Sequence, residues 1–203
     1  MNENRVDHFK HKSKSWDMSS MRVKNAKSIA DLIVKNIDFN DAMDIMDLGA
    51  GTGLLSYFVA PHVAKIIAVD NSPSMLEEFK SKASEFDSEI EVIEADISAE
   101  AFNRKFDGII SSMTIHHVEE TKALFSKLYN MLNKNGFIAI ADLDSEDGSF
   151  HSDNTGVHHH GFDRKELEAI AKEIGFKDIT FDLASTISKP HCTFTVFLMT
   201  AVK

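Results

Sequence analysis

Cysteine is almost absent from this chain. The single residue, Cys192, excludes an intrachain disulfide and any zinc site built from several cysteines, a usage that suits a reducing compartment. Its neighbours place it as a small core residue of a late strand. Long apolar runs are missing too: none approaches the roughly 20 residues needed to span a bilayer. The polar start, Met1-Asn2-Glu3-Asn4-Arg5-Val6-Asp7-His8, has no apolar segment that could act as a secretory signal, so the cytoplasm is the expected compartment. Positive charge is scarce, with 22 Lys and Arg against 32 Asp and Glu, a formal net charge of −10. A nucleic-acid backbone is therefore an unfavourable partner, because such binding is largely phosphate neutralisation. The cations crowd one end: residues 1–36 hold eight Lys or Arg against four Asp or Glu, and the remainder fourteen against twenty-eight. That basic segment reads as solvated helix surface, with an anionic substrate or a membrane surface as the alternatives.

With 203 residues, 43% hydrophobic and 27% charged, the chain suits one ordinary globular domain with at most a small appendage. Residues 5–20, which hold Trp16 among polar and basic neighbours, read as a lid or short helix. Val23, Ala26, Ala30, Ile33 and Val34 recur at helical spacing from Met21 to Ile37, predicting an amphipathic helix on the sheet edge. Strands follow at Met43 to Leu48, Lys65 to Asp70, Ile90 to Ala95, Phe106 to Ser111 and Phe137 to Leu143. The second is a nearly continuous β-branched run, as expected of a parallel strand buried on both faces. Between them lie helices at Leu54 to Ala60, closed by Pro61, and after Asn71-Ser72-Pro73, where Ser72 caps and Pro73 takes the first helical position. A further helix runs from Thr121 to Leu132 and ends at Asn135-Gly136. Asp163 to Ile174 is a helix stopped by Gly175, and Lys177 to Leu183 and Thr193 to Val202 complete seven strands, with helices between the first six. Ala184 to His191 is too short for a crossover helix, so the last strand returns antiparallel as a hairpin. The pattern is doubly wound α/β with a mostly parallel seven-stranded sheet.

Ile45-Met46-Asp47-Leu48-Gly49-Ala50-Gly51-Thr52-Gly53-Leu54-Leu55 organises the rest: a buried strand, a glycine-rich turn and the start of a helix. Alternate glycines let the backbone bend and lie against a ligand, and the helix start offers free N–H groups to the same spot. A dinucleotide fingerprint needs the third glycine one place later, where Leu54 stands. Asp-Leu-Gly-Ala-Gly-Thr-Gly instead resembles the first motif of the class I S-adenosylmethionine-dependent methyltransferases, in particular the small-molecule members of types 11 and 12. The resemblance covers residues 43–143, extends through the final hairpin, and is weakest in residues 1–40 and 144–161. It implies strand order 3-2-1-4-5-7-6, an N-terminal helical lid or cap over residues 1–40, and a cofactor domain over residues 41–203.

In an open α/β sheet, ligands sit beyond the carboxyl ends of the strands at the topological switch point. Asp70, about twenty residues past the turn, stands where a carboxylate accepts from ribose hydroxyls. Capping the next helix is its alternative role, although Ser72 already supplies that cap. By resemblance, Asp96 meets the adenine amine and the Ile97 N–H a ring nitrogen, with a plain loop aspartate as the alternative. Asn71 flanks the adenine face, whereas Met75 belongs to an apolar helix stripe. Asp47 and the backbone of Gly49, Ala50, Gly51 and Gly53 meet the methionine end, with a carbonyl at Ser111 or Ser112 accepting from its ammonium.

Met113-Thr114-Ile115-His116-His117-Val118 resembles the substrate-facing segment of small-molecule members. Adjacent histidines point in different directions, so only one touches an acceptor; His116 is the first choice and His117 the second, against purely structural hydrogen bonding. The connection from Asp144 to Gly161 carries His151, His158, His159 and His160 near Asp142, Asp144 and Asp153. It reads as an acceptor-binding wall using His151 and His158, as a solvated loop, or as a metal site. Consecutive imidazoles aim poorly at one ion and no cysteine assists, so no metal is expected. Trp16 closes over the acceptor. The implied function is methyl transfer from S-adenosylmethionine to a small-molecule acceptor, releasing S-adenosylhomocysteine, in a monomer or homodimer that engages neither nucleic acid nor membrane. A non-catalytic S-adenosylmethionine-binding or sensing protein is the alternative, and an NAD-dependent oxidoreductase the third option.

Overall fold

The computed structural model describes residues 7, 10, 12–97, 99–100, 102–190 and 192–203; residues 1–6, 8, 9 and 11 of the expected lid lie outside the described residues. The chain runs α1 (Ser20–Asn36), β1 (Asp44–Leu48), α2 (Leu54–Val59), β2 (Lys65–Asp70), α3 (Pro73–Ser81), β3 (Glu89–Glu94), β4 (Phe106–Ser112), α4 (Thr121–Met131), β5 (Leu132–Leu143), α5 (Arg164–Ile174), β6 (Lys177–Ser188) and β7 (Thr193–Val202). One sheet holds all seven strands in the order β3-β2-β1-β4-β5-β7-β6. The β1, β2, β3, β4 and β5 pairings are parallel, while β7 runs antiparallel to both β5 and β6. This is the expected doubly wound architecture with one reversed strand.

Side-chain alternation divides the interior in two, because successive residues of a strand point to opposite faces. Ile45, Ile66, Ile110, Ala139 and Leu198 face α1 and α2, whereas Met46, Ile67, Ile109, Ile138 and Met199 face α4 and α5. Burial on both sides explains why β1 and β2 read as continuous apolar runs.

Several elements depart from expectation. No helix joins β3 to β4 among the described residues; Phe102 stacks on Phe106 at 6.0 Å, and Ile97 and Ala95 cover that face instead. α1, by contrast, packs where expected, over the β6–β7 edge of the sheet, burying Ile29, Ala30 and Ile33 in the core. Its polar side binds the far strand, where Asn36 donates to Asp182 at 2.8 Å. α2 ends at Val59, and Pro61 sits within a following 3-10 turn, Ala60–His62, where its missing N–H costs nothing. α4 ends at Met131, before Asn135-Gly136. Asn135 instead takes φ +63° inside a bulge of β5 that seats the Phe137 ring over Gly108. β6 continues to Ser188 because Thr186 and Ile187 pair with Thr195 and Phe194, so Cys192 falls in the hairpin turn and is exposed, not a core residue.

The ends of α5 show how local chemistry sets a boundary. Asp163 Oδ1 accepts from the Lys165 and Glu166 amides at 2.8 and 3.1 Å, and Gly175 closes the helix at φ +115°. Asp163→Ala is expected to cost about 1 kcal/mol, lowering Tm by roughly 2–4 °C in a thermal melt. A melt unchanged within 0.5 °C, roughly an eighth of that upper figure, would show the cap to be idle.

Candidate active site at the carboxyl ends of β1 and β4

The three glycines after β1 have left-handed φ values of +69°, +55° and +88° at Gly49, Gly51 and Gly53. They differ in purpose. A Cβ on Gly49 would stand 2.2 Å from the Thr114 side chain, and one on Gly53 2.7 Å from the Phe79 ring. On Gly51 the nearest atom would be 4.0 Å away, so this residue faces open space and forms a cradle. Beside it, Asp70 Oδ2 accepts from the Gly51 amide and Oδ1 from the Ser72 amide, both at 2.8 Å. Each oxygen keeps a further lone pair for a ligand. Burial raises the Asp70 pKa despite these amides. Asn71 is exposed alongside it, and Ala50 packs in a small cluster with Ala68 and Phe79.

Other expected cofactor residues are placed less directly. Asp47 is 1% exposed and lies beneath the turn, where its Oδ2 accepts from Ser56 Oγ at 2.6 Å. Burial pushes its pKa from the ordinary 3.8 to about 7. Ser111 is buried and donates to the Leu48 carbonyl at 2.8 Å, while the Ser112 carbonyl accepts from Thr114 Oγ1 at 3.1 Å. Asp96 Oδ1 accepts from the Ala99 amide at 3.4 Å, a turn-capping contact, and Ile97 is buried with its carbonyl accepting from Lys127 at 3.0 Å. Met75 is core.

The described part of the N-terminal segment lies across these elements. Asp17 accepts from Thr52 Oγ1 of the glycine turn at 2.6 Å and pairs with Lys82. Asp7 accepts from Ser72 Oγ at 2.8 Å and the Ser74 amide at 3.1 Å. Sequence reasoning missed both, since an isolated aspartate in a basic stretch carries no local signal. Trp16 is half-buried with the Arg22 guanidinium 3.9 Å from its ring centre.

Opposite the turn, Met113 leaves β4 at φ +58°, a strained value for its type that redirects the chain. Thr114 touches Gly49, and the 3-10 turn Ile115–His117 follows. His116 is 1% exposed; its Nδ1 donates to Asp142 Oδ1 at 2.7 Å, and Asp142, 0% exposed, also accepts from the Leu143 and His116 amides at 2.7 and 3.3 Å. The Nε2 of His116 is buried with no hydrogen-bond partner among the described residues. The His117 ring lies 4.2 Å from that of His116, and its Nδ1 donates to the Gly156 carbonyl at 2.7 Å.

The His-rich connection docks on this turn. The His158 and His159 amides donate to the His116 carbonyl at 3.0 and 3.1 Å. His151 stands 5.0 Å from the His116 ring and 5.8 Å from that of His117. Burial, then the neighbouring imidazoles, push His117 and His151 down to about 4, so both are neutral near pH 7. The His158 side chain is exposed; only its main chain joins the site. Asp142 was visible as an acid near the histidines, but its pairing with His116 was not. Among the described residues no group of three or more His, Cys, Asp or Glu could hold a metal ion.

An open sheet with a glycine cradle and a carboxylate at its switch point defines a Rossmann-like protein with a nucleotide-type cofactor site. The family model described as a methyltransferase domain matches residues 45–136. An uncharacterized methyltransferase of Schizosaccharomyces pombe is 30% identical over 144 residues, covering 63% of this chain and 51% of that protein. A trans-aconitate 2-methyltransferase of an Enterobacter species is 30% identical over 121 residues, covering 59% and 46%. The chain thus spans about half the length of the curated relatives it matches. Among solved structures, phosphoethanolamine N-methyltransferase 2 of Haemonchus contortus, in complex with S-adenosylmethionine, superposes with a TM-score of 0.73 at 17% identity, covering 100% of this chain and 60% of that one. Residues 45–136 thus match a methyltransferase domain, and the chain shares its fold with a methyltransferase solved in complex with S-adenosylmethionine. The site suits that group: Gly51 opens the cradle and Asp70 retains acceptor capacity for hydroxyls.

Two outcomes follow. Gly51→Ala is expected to keep the fold, by circular dichroism, yet weaken S-adenosylhomocysteine binding about tenfold or more in calorimetry, because its Cβ enters the cradle; equal affinity would remove the cradle role. For Asp47, a folded pKa above the unfolded value means that its contribution to stability is full below pH 3.8 and is lost as pH rises toward 7. Asp47→Asn should therefore flatten the fall in urea midpoint between pH 4 and pH 7, and an unaltered slope there would contradict the raised pKa.

Proposed function

We propose that this protein transfers the methyl group of S-adenosylmethionine to a small-molecule acceptor, with His116 as general base. The observation that carries the reading is the buried Nε2 of His116, which has no partner among the described residues, is backed by Asp142 and lies two residues beyond the contact between Thr114 and the glycine turn. When bound, the cofactor supplies an electrophilic methyl carbon on a sulfonium. The protein's part is to hold, to exclude water and to take a proton.

In this reading Asp70 accepts from the ribose hydroxyls, with Asn71 at its side. Asp96 and the Ile97 amide meet the adenine. The backbone of Gly49, Ala50, Gly51 and Gly53 meets the methionine end, Asp47 acts from beneath through water, and a carbonyl at Ser111 or Ser112 accepts from the ammonium. His116, with its Nδ1–H held by Asp142, keeps the Nε2 lone pair toward the acceptor and becomes an imidazolium beside a carboxylate after proton transfer. His117, fixed on Gly156, lines the wall, and Trp16 closes the N-terminal side. The trans-aconitate and phosphoethanolamine relatives are named for small molecules, which supports the acceptor class. A net charge of −10 makes nucleic acid an unfavourable acceptor, and no helix among the described residues is long and apolar enough to cross a membrane. The reading keeps the cytoplasm as compartment and a monomer or homodimer as form.

Calorimetry should register S-adenosylhomocysteine and not NAD, and S-adenosylhomocysteine should accumulate from S-adenosylmethionine when a metabolite extract is added. His116→Ala is expected to lower turnover by about 10²–10⁴-fold with product affinity retained, and Asp142→Asn to act in the same direction. Binding of S-adenosylhomocysteine without any extract-dependent turnover would make the protein a sensor. An undiminished rate in His116→Ala would take the base away from that residue.

A further inference from the structure

Two buried imidazole nitrogens in this site lack a partner among the described residues, His116 Nε2 and His151 Nε2, on rings 5.0 Å apart. A buried polar atom left unpaired is costly, so two together ask for a polar group between them. What that group is follows from what each nitrogen can offer. His116 Nδ1 donates to Asp142, so in the neutral form of that ring Nε2 can only accept. His151 is neutral near pH 7: it is half-buried beside two other imidazoles and the Lys189 ammonium, which lies 4.2 Å over the Phe150 ring. Its single N–H is then available to donate.

Resting on the methyl-transfer reading above, we infer that the acceptor is a hydroxyl compound, whose oxygen takes a hydrogen bond from His151 Nε2–H while its O–H donates to His116 Nε2. A hydroxyl has two lone pairs and one hydrogen. One lone pair accepts from His151, the other attacks the methyl carbon, and the hydrogen goes to His116. The new O–CH₃ bond forms as the C–S bond breaks with its electron pair passing to sulfur, and the proton ends on His116 Nε2 beside Asp142.

Other acceptors leave one of these groups unmatched. A carboxylate brings no proton to His116 Nε2 and sets a second negative charge near the buried Asp142. A neutral amine has one lone pair, and using it on the methyl carbon leaves nothing for His151. A thiol accepts hydrogen bonds weakly.

The tautomers are read directly from long-range ¹H–¹⁵N imidazole spectra of the labelled protein with S-adenosylhomocysteine bound. His116 should be protonated at Nδ1 and His151 at Nε2; a His151 protonated at Nδ1 alone, or at both nitrogens at pH 7, overturns the assignment. Methyl-labelled S-adenosylmethionine incubated with a metabolite extract should yield label in an alkali-stable methyl ether. Label released as methanol by alkali, or held on nitrogen, would overturn it equally. His151→Ala should lower kcat/KM about 10–100-fold, and His151→Gln, whose amide can also donate, should recover part of that loss, with S-adenosylhomocysteine affinity unchanged in both. Failure of the wild-type protein to bind S-adenosylhomocysteine would instead remove the methyl-transfer reading beneath this one.

Discussion

β1 and β4 run side by side with Leu48 opposite Ser111, and the Ser111 hydroxyl binds the Leu48 carbonyl at 2.8 Å. Residues distant in sequence meet at this pairing. One strand delivers the glycine turn and the other the Met113 to His117 turn, so that Thr114 lies where a Cβ on Gly49 would go. If the two strands were separated by another, no cradle would face the histidines. The sheet order places them together because the chain winds outward from β1 in one direction and from β4 in the other.

The two walls of the site differ in their electrostatics. On the cofactor side, carboxylates dominate: Asp47 beneath the turn, Asp70 against two amides, and Asp7 and Asp17 reaching over from the N-terminal segment. On the β4 side, three imidazoles and one buried carboxylate form a cluster, with His117 and His151 pushed down to about 4 by burial and by His116. The first wall is suited to a ligand with hydroxyls and positive charge. The second is suited to a group that must be relieved of a proton without adding charge of its own.

Preorganisation of the second wall comes from the connection between β5 and α5. Arg164 grips Asp144 through two hydrogen bonds at 2.6 and 2.8 Å, Thr195 reaches the same carboxylate, and Ser145 and Glu146 pair with the far end of the loop. The loop closes on the His116 carbonyl, so His116 is held from its own backbone as well as through its ring. Such support from neighbouring hydrogen bonds keeps the imidazole in place and leaves its Nε2 unused.

Periodicity and glycine spacing were enough to establish the seven strands, the reversed last strand and the position of the cofactor turn, because each is encoded within a dozen residues. Where neighbours in sequence do not decide the outcome, reading failed: Asn135-Gly136 does not end α4 but lies in a bulge of β5 that seats Phe137 over Gly108, and Cys192 is exposed because β6 and β7 pair further than their composition implied. The histidines were visible as candidates, yet only the tertiary structure separated them. His116 is buried against Asp142, twenty-six residues away, His151 is brought to its ring, and the His158 side chain is left exposed. Sequence determines which groups are available; their partners depend on where strands β4 and β5 end side by side, a long-range pairing that no local pattern carries.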